Sequence, residues 1–238
     1  MFNEYKEYLR EAAQMYLHVD LTPRQLEQFS QYGDLLLEWN EKINLTRIVD
    51  PKEIVVKHFI DSLTLAKYVK GKSLVDIGTG AGFPGLPLKI LNPEWEVVLV
   101  DSLGKRVKFL EAVVQDLRLS AVETVHARAE DIGRMKNYRE KFDTATSRAV
   151  AGFSVLLEYA LPLLKNGGCF LAPKGQKIDE EIKGAEGALL LLNGKISRVE
   201  TFSLGDEAEH RAIVVVEKIK TMSDKYPRKA GLPAKAPL

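Results

Sequence analysis

The chain of 238 residues contains a single cysteine, Cys169. That excludes an intramolecular disulfide and any cysteine-based metal cluster. The histidines, His18, His58, His126 and His210, are scattered, and no pair has metal-ligand spacing. Apolar residues make up 45% of the chain, yet no run approaches the roughly 20 needed to span a bilayer. The opening Met-Phe-Asn-Glu-Tyr-Lys lacks the basic and apolar regions of a secretory signal. Net charge is only +1, so no bulk field selects a partner. The expectation is a cytoplasmic protein, monomeric, with no metal and no membrane partner.

Charge is unevenly placed. Residues 217–238 hold Lys218, Lys220, Lys225, Arg228, Lys229 and Lys235 against Glu217 and Asp224, a net +4, leaving −3 on the rest. A basic end containing proline and glycine reads as an arm that grips phosphates, with Lys225, Arg228, Lys229 and Lys235 as contacts. The alternative is a frayed, solvated terminus.

Three segments follow from the patterning: a helical stretch over 1–70, an α/β domain over 71–220 and the basic tail over 221–238. Glu4–His18 spaces Tyr5, Tyr8, Leu9, Ala12, Met15 and Tyr16 near a helical period. Thr22-Pro23-Arg24-Gln25 is a capping box with proline at the first helical position. It launches a stripe of Leu26, Phe29, Leu36 and Trp39. A third helix is expected from Pro51 to about Val69, with Ile54, Phe59, Leu63 and Ala66 inward. From Ser73, strands near 73–78, 96–101, 122–127, 142–147, 168–173, 196–204 and 211–219 alternate with helices near 84–91, 104–118, 153–164 and 177–192. Only Gly205–His210 separates the last two strands, so they pair as an antiparallel hairpin at one edge.

The densest chemical signal is Val75-Asp-Ile-Gly-Thr-Gly-Ala-Gly-Phe-Pro84. A short apolar strand ends in Asp76 and runs through Gly78, Gly80 and Gly82 into a helix that Pro84 can open. Free N–H groups at that helix start face whatever occupies the turn. Two readings compete. Gly80-x-Gly82-x-x-Gly85 with Asp101 fits a dinucleotide fingerprint. Asp76-x-Gly78-x-Gly80-x-Gly82 resembles motif I of the class I S-adenosylmethionine-dependent methyltransferases. An acid at the strand tip suits that cofactor's cationic amino group and sulfonium and is unhelpful to a diphosphate. A terminal hairpin on a seven-stranded sheet also fits the second reading.

Ligands sit at the carboxyl ends of such strands, where strand order reverses. Asp101, followed by Ser102 and Leu103, can accept both ribose hydroxyls. Ala129 and Glu130 lie past the third strand, beside where an adenine would rest. Arg148 ends the fourth strand and Lys174 the fifth; either cation can hold a carboxylate or phosphate and align substrates. No Asn/Asp-Pro-Pro-aromatic motif follows the fourth strand, which argues against methylation of an exocyclic base amine. Cys169 is mid-strand and reads as a small buried hydrophobe. His58 reads as a packed helix histidine. An acceptor needing neither deprotonation nor covalent activation remains, and guanine N7 is one. Another RNA, a protein or a small molecule also stays open as substrate.

The chain resembles the bacterial small-subunit ribosomal RNA guanine-N7 methyltransferase G family, also called glucose-inhibited division protein B, over nearly its whole length. The resemblance rests on Trp39–Thr46, Lys57–Leu63, Asp76–Pro84, Asp101–Arg106, Arg128–Glu130, Ser147–Val150 and Lys225–Gly231. It implies transfer of methyl from S-adenosylmethionine to N7 of a guanine in the 530 loop of 16S rRNA, as naked RNA or small subunit. It maps cofactor contacts onto Gly78, Phe83, Asp101, Ser102, Leu103, Ala129, Glu130 and Arg148. Family tails often carry proline where Ala230 stands, which leaves the basic character intact.

Overall fold

In the computed structural model, residues 2–148, 151–176, 178–205 and 209–238 are described. Ala149 and Val150, Lys177, and 206–208 in the expected hairpin turn lie outside the described residues.

A 3-10 turn, Phe2–Tyr5, leads into α1 (Lys6–Leu17) and α2 (Pro23–Ile43). The capping box forms as read: Thr22 N–H donates to Gln25 Oε1 at 2.8 Å, and Gln25 N–H to Thr22 Oγ1 at 3.3 Å. On α1, Leu9 and Ala12 are buried, but Met15 is 68% exposed and leaves the expected stripe.

The expected single helix over 51–69 is instead broken. Turns α3 (Pro51–Ile54) and α4 (Asp61–Leu63) flank a π-helix, Val55–Ile60, and a 3-10 turn covers Ala66–Tyr68. The apolar pairs explain the π turn. Ile54 with Phe59 and Val55 with Ile60 are all fully buried, and five residues at 3.6 per turn would set each pair roughly 140° apart. Widening the turn returns both pairs to one face.

Strands β1 (Ser73–Ile77), β2 (Glu96–Asp101), β3 (Val122–His126), β4 (Phe142–Thr146), β5 (Leu164–Lys174), β6 (Gly194–Leu204) and β7 (Glu209–Lys218) form one sheet ordered β3-β2-β1-β4-β5-β7-β6. The first five run parallel; β7 is antiparallel to both β5 and β6. Connecting helices are α5 (Gly85–Leu91), α6 (Gly104–Asp116), α7 (Ala129–Ile132), α8 (Phe153–Ala160), α9 (Ile178–Lys183) and α10 (Glu186–Leu191), with a last turn α11 (Leu232–Lys235). The helix expected over 177–192 divides at Gly184 and Ala185. Pro84, expected inside α5, precedes it and follows a cis peptide bond.

Helices cover both faces, so central strands are apolar on both sides. One core joins α1, α2 and the π-helix to α5, α6 and the near face of β1 and β2, around Phe29, Phe59, Leu74 and Leu99. The other packs α8 and the tail residues Met222 and Tyr226 against the far face, around Val75, Phe170 and Val214. Strand order reverses at β1, opening a crevice above its carboxyl end.

Candidate functional site

Past Ile77 the chain turns through Gly78, Gly80 and Gly82 at φ of 65°, 61° and 94°, a left-handed backbone that favours glycine. Asp76 anchors the turn from below. Its Oδ2 accepts from Thr79 Oγ1 at 2.6 Å and from Gly85 N–H, the start of α5, at 2.8 Å. Its Oδ1 is buried with no partner among the described residues. Burial pushes this carboxyl up to about 6, against the opposing pull of the Thr79 and Gly85 bonds. From above, Tyr32 Oη on α2 donates to the Ala81 carbonyl. Ser147 Oγ, at the end of β4, donates to Ile77 O at 2.7 Å and joins the two strand tips at the reversal.

Asp101 faces the same turn. Oδ2 accepts from Gly80 N–H and Oδ1 from Leu103 N–H, both at 2.9 Å, while Arg106 Nη1 stands 3.5 Å away. Asp101, Gly80 and Arg106, with Leu45, Thr46, His58, Gly78, Thr79, Ala81, Phe83, Ser102 and Arg148, line a cleft of about 370 Å³, within the range of small-molecule sites. A Cβ on Gly80 would meet nothing nearer than Gly78 O at 4.0 Å, so this backbone borders open space. Leu103 is 42% exposed at the start of α6.

Phe83 is buried in a stack, with its ring 4.5 Å from His58 and 5.4 Å from Tyr32, and the Arg148 guanidinium 5.1 Å over it. Arg148 Nη1 donates to Asp61 Oδ2 at 2.9 Å and to Lys57 O at 3.2 Å; Nη2 reaches His58 Nδ1 at 3.3 Å. His58 Nδ1 also lies 3.2 Å from Lys57 O, and Nε2 lies 2.8 Å from Thr46 Oγ1. Burial, and then the Arg148 charge, lower the His58 pKa to about 3, so the ring is neutral near pH 7.

A second cleft, of about 590 Å³, shares His58 and Arg148 with the first. Lys57, Asp61, Lys174, Glu181, Glu209 and Arg211 line it, beside Phe202 and Pro173. Asp61 is shared between the two arginines: its other oxygen accepts from Arg211 Nε at 3.2 Å, and Arg211 Nη2 holds Glu209 at 2.6 Å. Lys174 pairs with Glu181 at 2.7 Å.

Asp76, Gly78, Gly80, Gly82, Phe83, Asp101, Ser102 and Arg148 therefore gather about one turn. Glu130 does not join them through its side chain. Its Oε1 accepts from Gly231 N–H at 2.8 Å and lies 3.3 Å from Tyr159 Oη, on the tail side of the sheet.

The tail gives Arg228 a partner inside the fold. Glu158 is completely buried on α8, and Arg228 answers it with its N–H at 2.7 Å, Nε at 2.9 Å and Nη2 at 2.6 Å. Nε and Nη2 of this guanidinium are committed to the clasp, and Nη1 donates to no described residue. Lys225, Lys229 and Lys235 remain exposed.

Sequence does not single out Tyr32, Thr46, Asp61, Arg106 or Arg211, and it favours a packed helix histidine at His58. Thr46, His58, Asp61 and Arg106 lie inside segments that carry the family resemblance, so a signal existed for them. Arg211 had none: it reaches Asp61 across 150 residues of chain.

A sheet that reverses at β1 and ends in an antiparallel pair, with the glycine turn under an acid at the next strand tip, is that of a class I S-adenosylmethionine-dependent methyltransferase. It departs from a dinucleotide-binding sheet, which continues in parallel units. Solved structures share the fold: a SAM dependent methyltransferase from Aquifex aeolicus (TM-score 0.53, 18% identity, 71% of this chain and 94% of that one), and M. jannaschii TYW2 in complex with AdoMet (TM-score 0.55, 15% identity, 68% and 76%). Residues 25–214 match the GidB family, rRNA small subunit methyltransferase G, and the chain belongs to it. The ribosomal RNA small subunit methyltransferase G of Desulfitobacterium hafniense is 57% identical over the whole of both chains. That of Alkaliphilus oremlandii is 49% identical over 99% of each.

Proposed function

We propose that the protein is a cytoplasmic enzyme that transfers the methyl group of S-adenosylmethionine to N7 of a guanine in the 530 loop of 16S rRNA. The observation that carries this reading is the junction of the two clefts at His58 and Arg148. A donor in the glycine cleft and an acceptor in the other would meet there.

The residues of the first cleft fit the cofactor. Asp101 keeps lone pairs for two ribose hydroxyls. The orphaned Asp76 Oδ1 is an acceptor suited to an ammonium group, directly or through one water. Gly80 leaves room for close approach. When bound, the cofactor supplies a sulfonium-activated methyl; the N7 lone pair takes it and the C–S electron pair stays on sulfur.

The chain's own groups favour an acceptor that already has a lone pair. His58, with its pKa at about 3, is a poor base at pH 7. Both oxygens of Asp61 and of Glu209 are held by cations. Among the described residues, neither His58 nor Asp61 at the junction is poised to strip a proton from an exocyclic amine, and N7 needs none stripped. Catalysis is then alignment: Arg148 and Lys174 hold the acceptor while the Phe83 stack walls off water. Lys225, Lys229 and Lys235 are placed to meet RNA phosphates, which position without reading sequence.

Labelled S-adenosylmethionine and unmodified 16S rRNA or small subunits test this. After borohydride and aniline, which cut RNA at 7-methylguanosine, the expected result is one scission in the 530 loop. Label on an amine or a 2′-hydroxyl would refute it.

A further inference from the structure

The charges lining the second cleft alternate. Lys57, Arg148, Lys174 and Arg211 stand against Asp61, Glu181 and Glu209, with His58 neutral. Such near-balance is a weak trap for a bare phosphate, whose charge would meet each carboxylate as well as each cation. It suits a flat base that presents acceptors on one edge and donors on the other. Guanine does so: O6 and N7 accept, while N1–H and the 2-amino group donate.

Arg148 and Glu181 both have unused capacity of the right kind in this cleft, beside the spare hydrogens of Arg211 and Lys174. Arg148 commits both Nη1 hydrogens and one Nη2 hydrogen, leaving Nε–H and one Nη2–H. Glu181 gives Oε2 to Lys174, and its Oε1 accepts from no described residue. Asp61 and Glu209 are weaker candidates as readers, because a cation already holds each oxygen of both, whereas one Glu181 oxygen accepts from no described residue.

We propose that the second cleft reads the acceptor guanine from both edges, Arg148 donating to O6 beside N7 and Glu181 accepting from N1–H and the 2-amino group. This rests on the guanine-N7 reading above and extends it to base selection. Adenine fails at both ends: its 6-amino group meets the guanidinium and its N1 lone pair meets the carboxylate. Leaving such polar groups unpaired is what makes hydrogen-bonded sites selective. Asp61 is then a positioning residue. It aims Arg148 and Arg211, and its charge balances the positive charge the purine acquires.

The test replaces the target guanine with inosine, which lacks only the 2-amino group, in RNA given to the wild type and to Glu181→Ala. In the wild type, inosine should lower kcat/KM by about tenfold, as expected for one hydrogen bond to a charged group. Glu181→Ala should be slower on guanine by about tenfold or more and nearly indifferent to inosine. Lys174→Met should keep the full inosine penalty, since the reader is the carboxylate. S-adenosylhomocysteine affinity, unchanged in both variants, reports an intact fold. An equal inosine penalty in wild type and Glu181→Ala, or none in the wild type, overturns the proposal. A wild type that methylates no guanine refutes the guanine-N7 reading instead.

Discussion

At the scale of single residues, Asp76 is the most informative group, because one of its oxygens holds the turn and the other is left buried without a partner. Burial raises its pKa to about 6, so in the cofactor-free protein it is protonated below that pH. An ammonium group favours the carboxylate, and binding expels the proton. S-adenosylmethionine affinity should therefore fall as pH drops through about 6, approaching tenfold per unit below it. His58, neutral down to about 3, adds nothing to this window. Calorimetric titration between pH 5 and 8 reads the slope. Asp76→Asn should flatten it, and an unchanged slope in that variant would assign the proton elsewhere. Asp76 and Asp101 were legible in sequence because each ends an apolar strand beside glycine or polar punctuation. Asp61 and Arg211 were not, because their meaning is a contact between a helix turn and the strand β7 that only folding brings together.

At the scale of elements, the glycine turn and the π-helix shape the site. Gly82 and Gly80 share a left-handed backbone but face different surroundings. A Cβ on Gly82 would overlap Leu86 and stand 2.6 Å from Tyr32 Oη, whereas on Gly80 it would enter open space. Gly82→Ala should unfold at markedly lower denaturant, with overpacking costing about 1–3 kcal/mol beyond the backbone strain. Gly80→Ala should lose only the strain, about 1–2 kcal/mol, and yet bind cofactor poorly. Denaturation midpoints beside binding constants separate the two effects, and equal loss of stability in both variants would contradict this geometry. The strands and the terminal hairpin were readable from the alternation of apolar runs and turns. The break in the helix over 51–69 was not. At a 3.6-residue period Ile54 and Phe59 fall on different faces, and the fact that they share one on a wider turn shows up in three dimensions alone.

At the scale of the whole molecule, the two ends of the chain serve the middle. The amino-terminal helices share a core with β1 and β2, and Tyr32 carries that packing to the glycine turn. The tail closes the opposite face. Tyr226 is buried there, Arg139 Nη1 donates to its carbonyl at 2.7 Å, and Arg228 neutralises Glu158. Arg228→Ala would strand a buried carboxylate and should cost about 3–5 kcal/mol, seen as a lower Tm without RNA present. Lys229→Ala should leave Tm alone and flatten the salt dependence of RNA binding. If Arg228→Ala keeps the wild-type Tm and changes only RNA affinity, the arm reading is restored. Sequence composition showed that the tail is basic; it could not show which cation is already answered inside the fold.

The central claim is that a sulfonium adenosine lies along the glycine turn and offers its methyl to the second cleft. A crystal structure with S-adenosylhomocysteine tests it most directly. The ribose hydroxyls should lie on Asp101 and the amino group beside Asp76, with sulfur opening toward His58 and Arg148. A ligand bound elsewhere, or a sulfur turned away from that junction, would contradict the account.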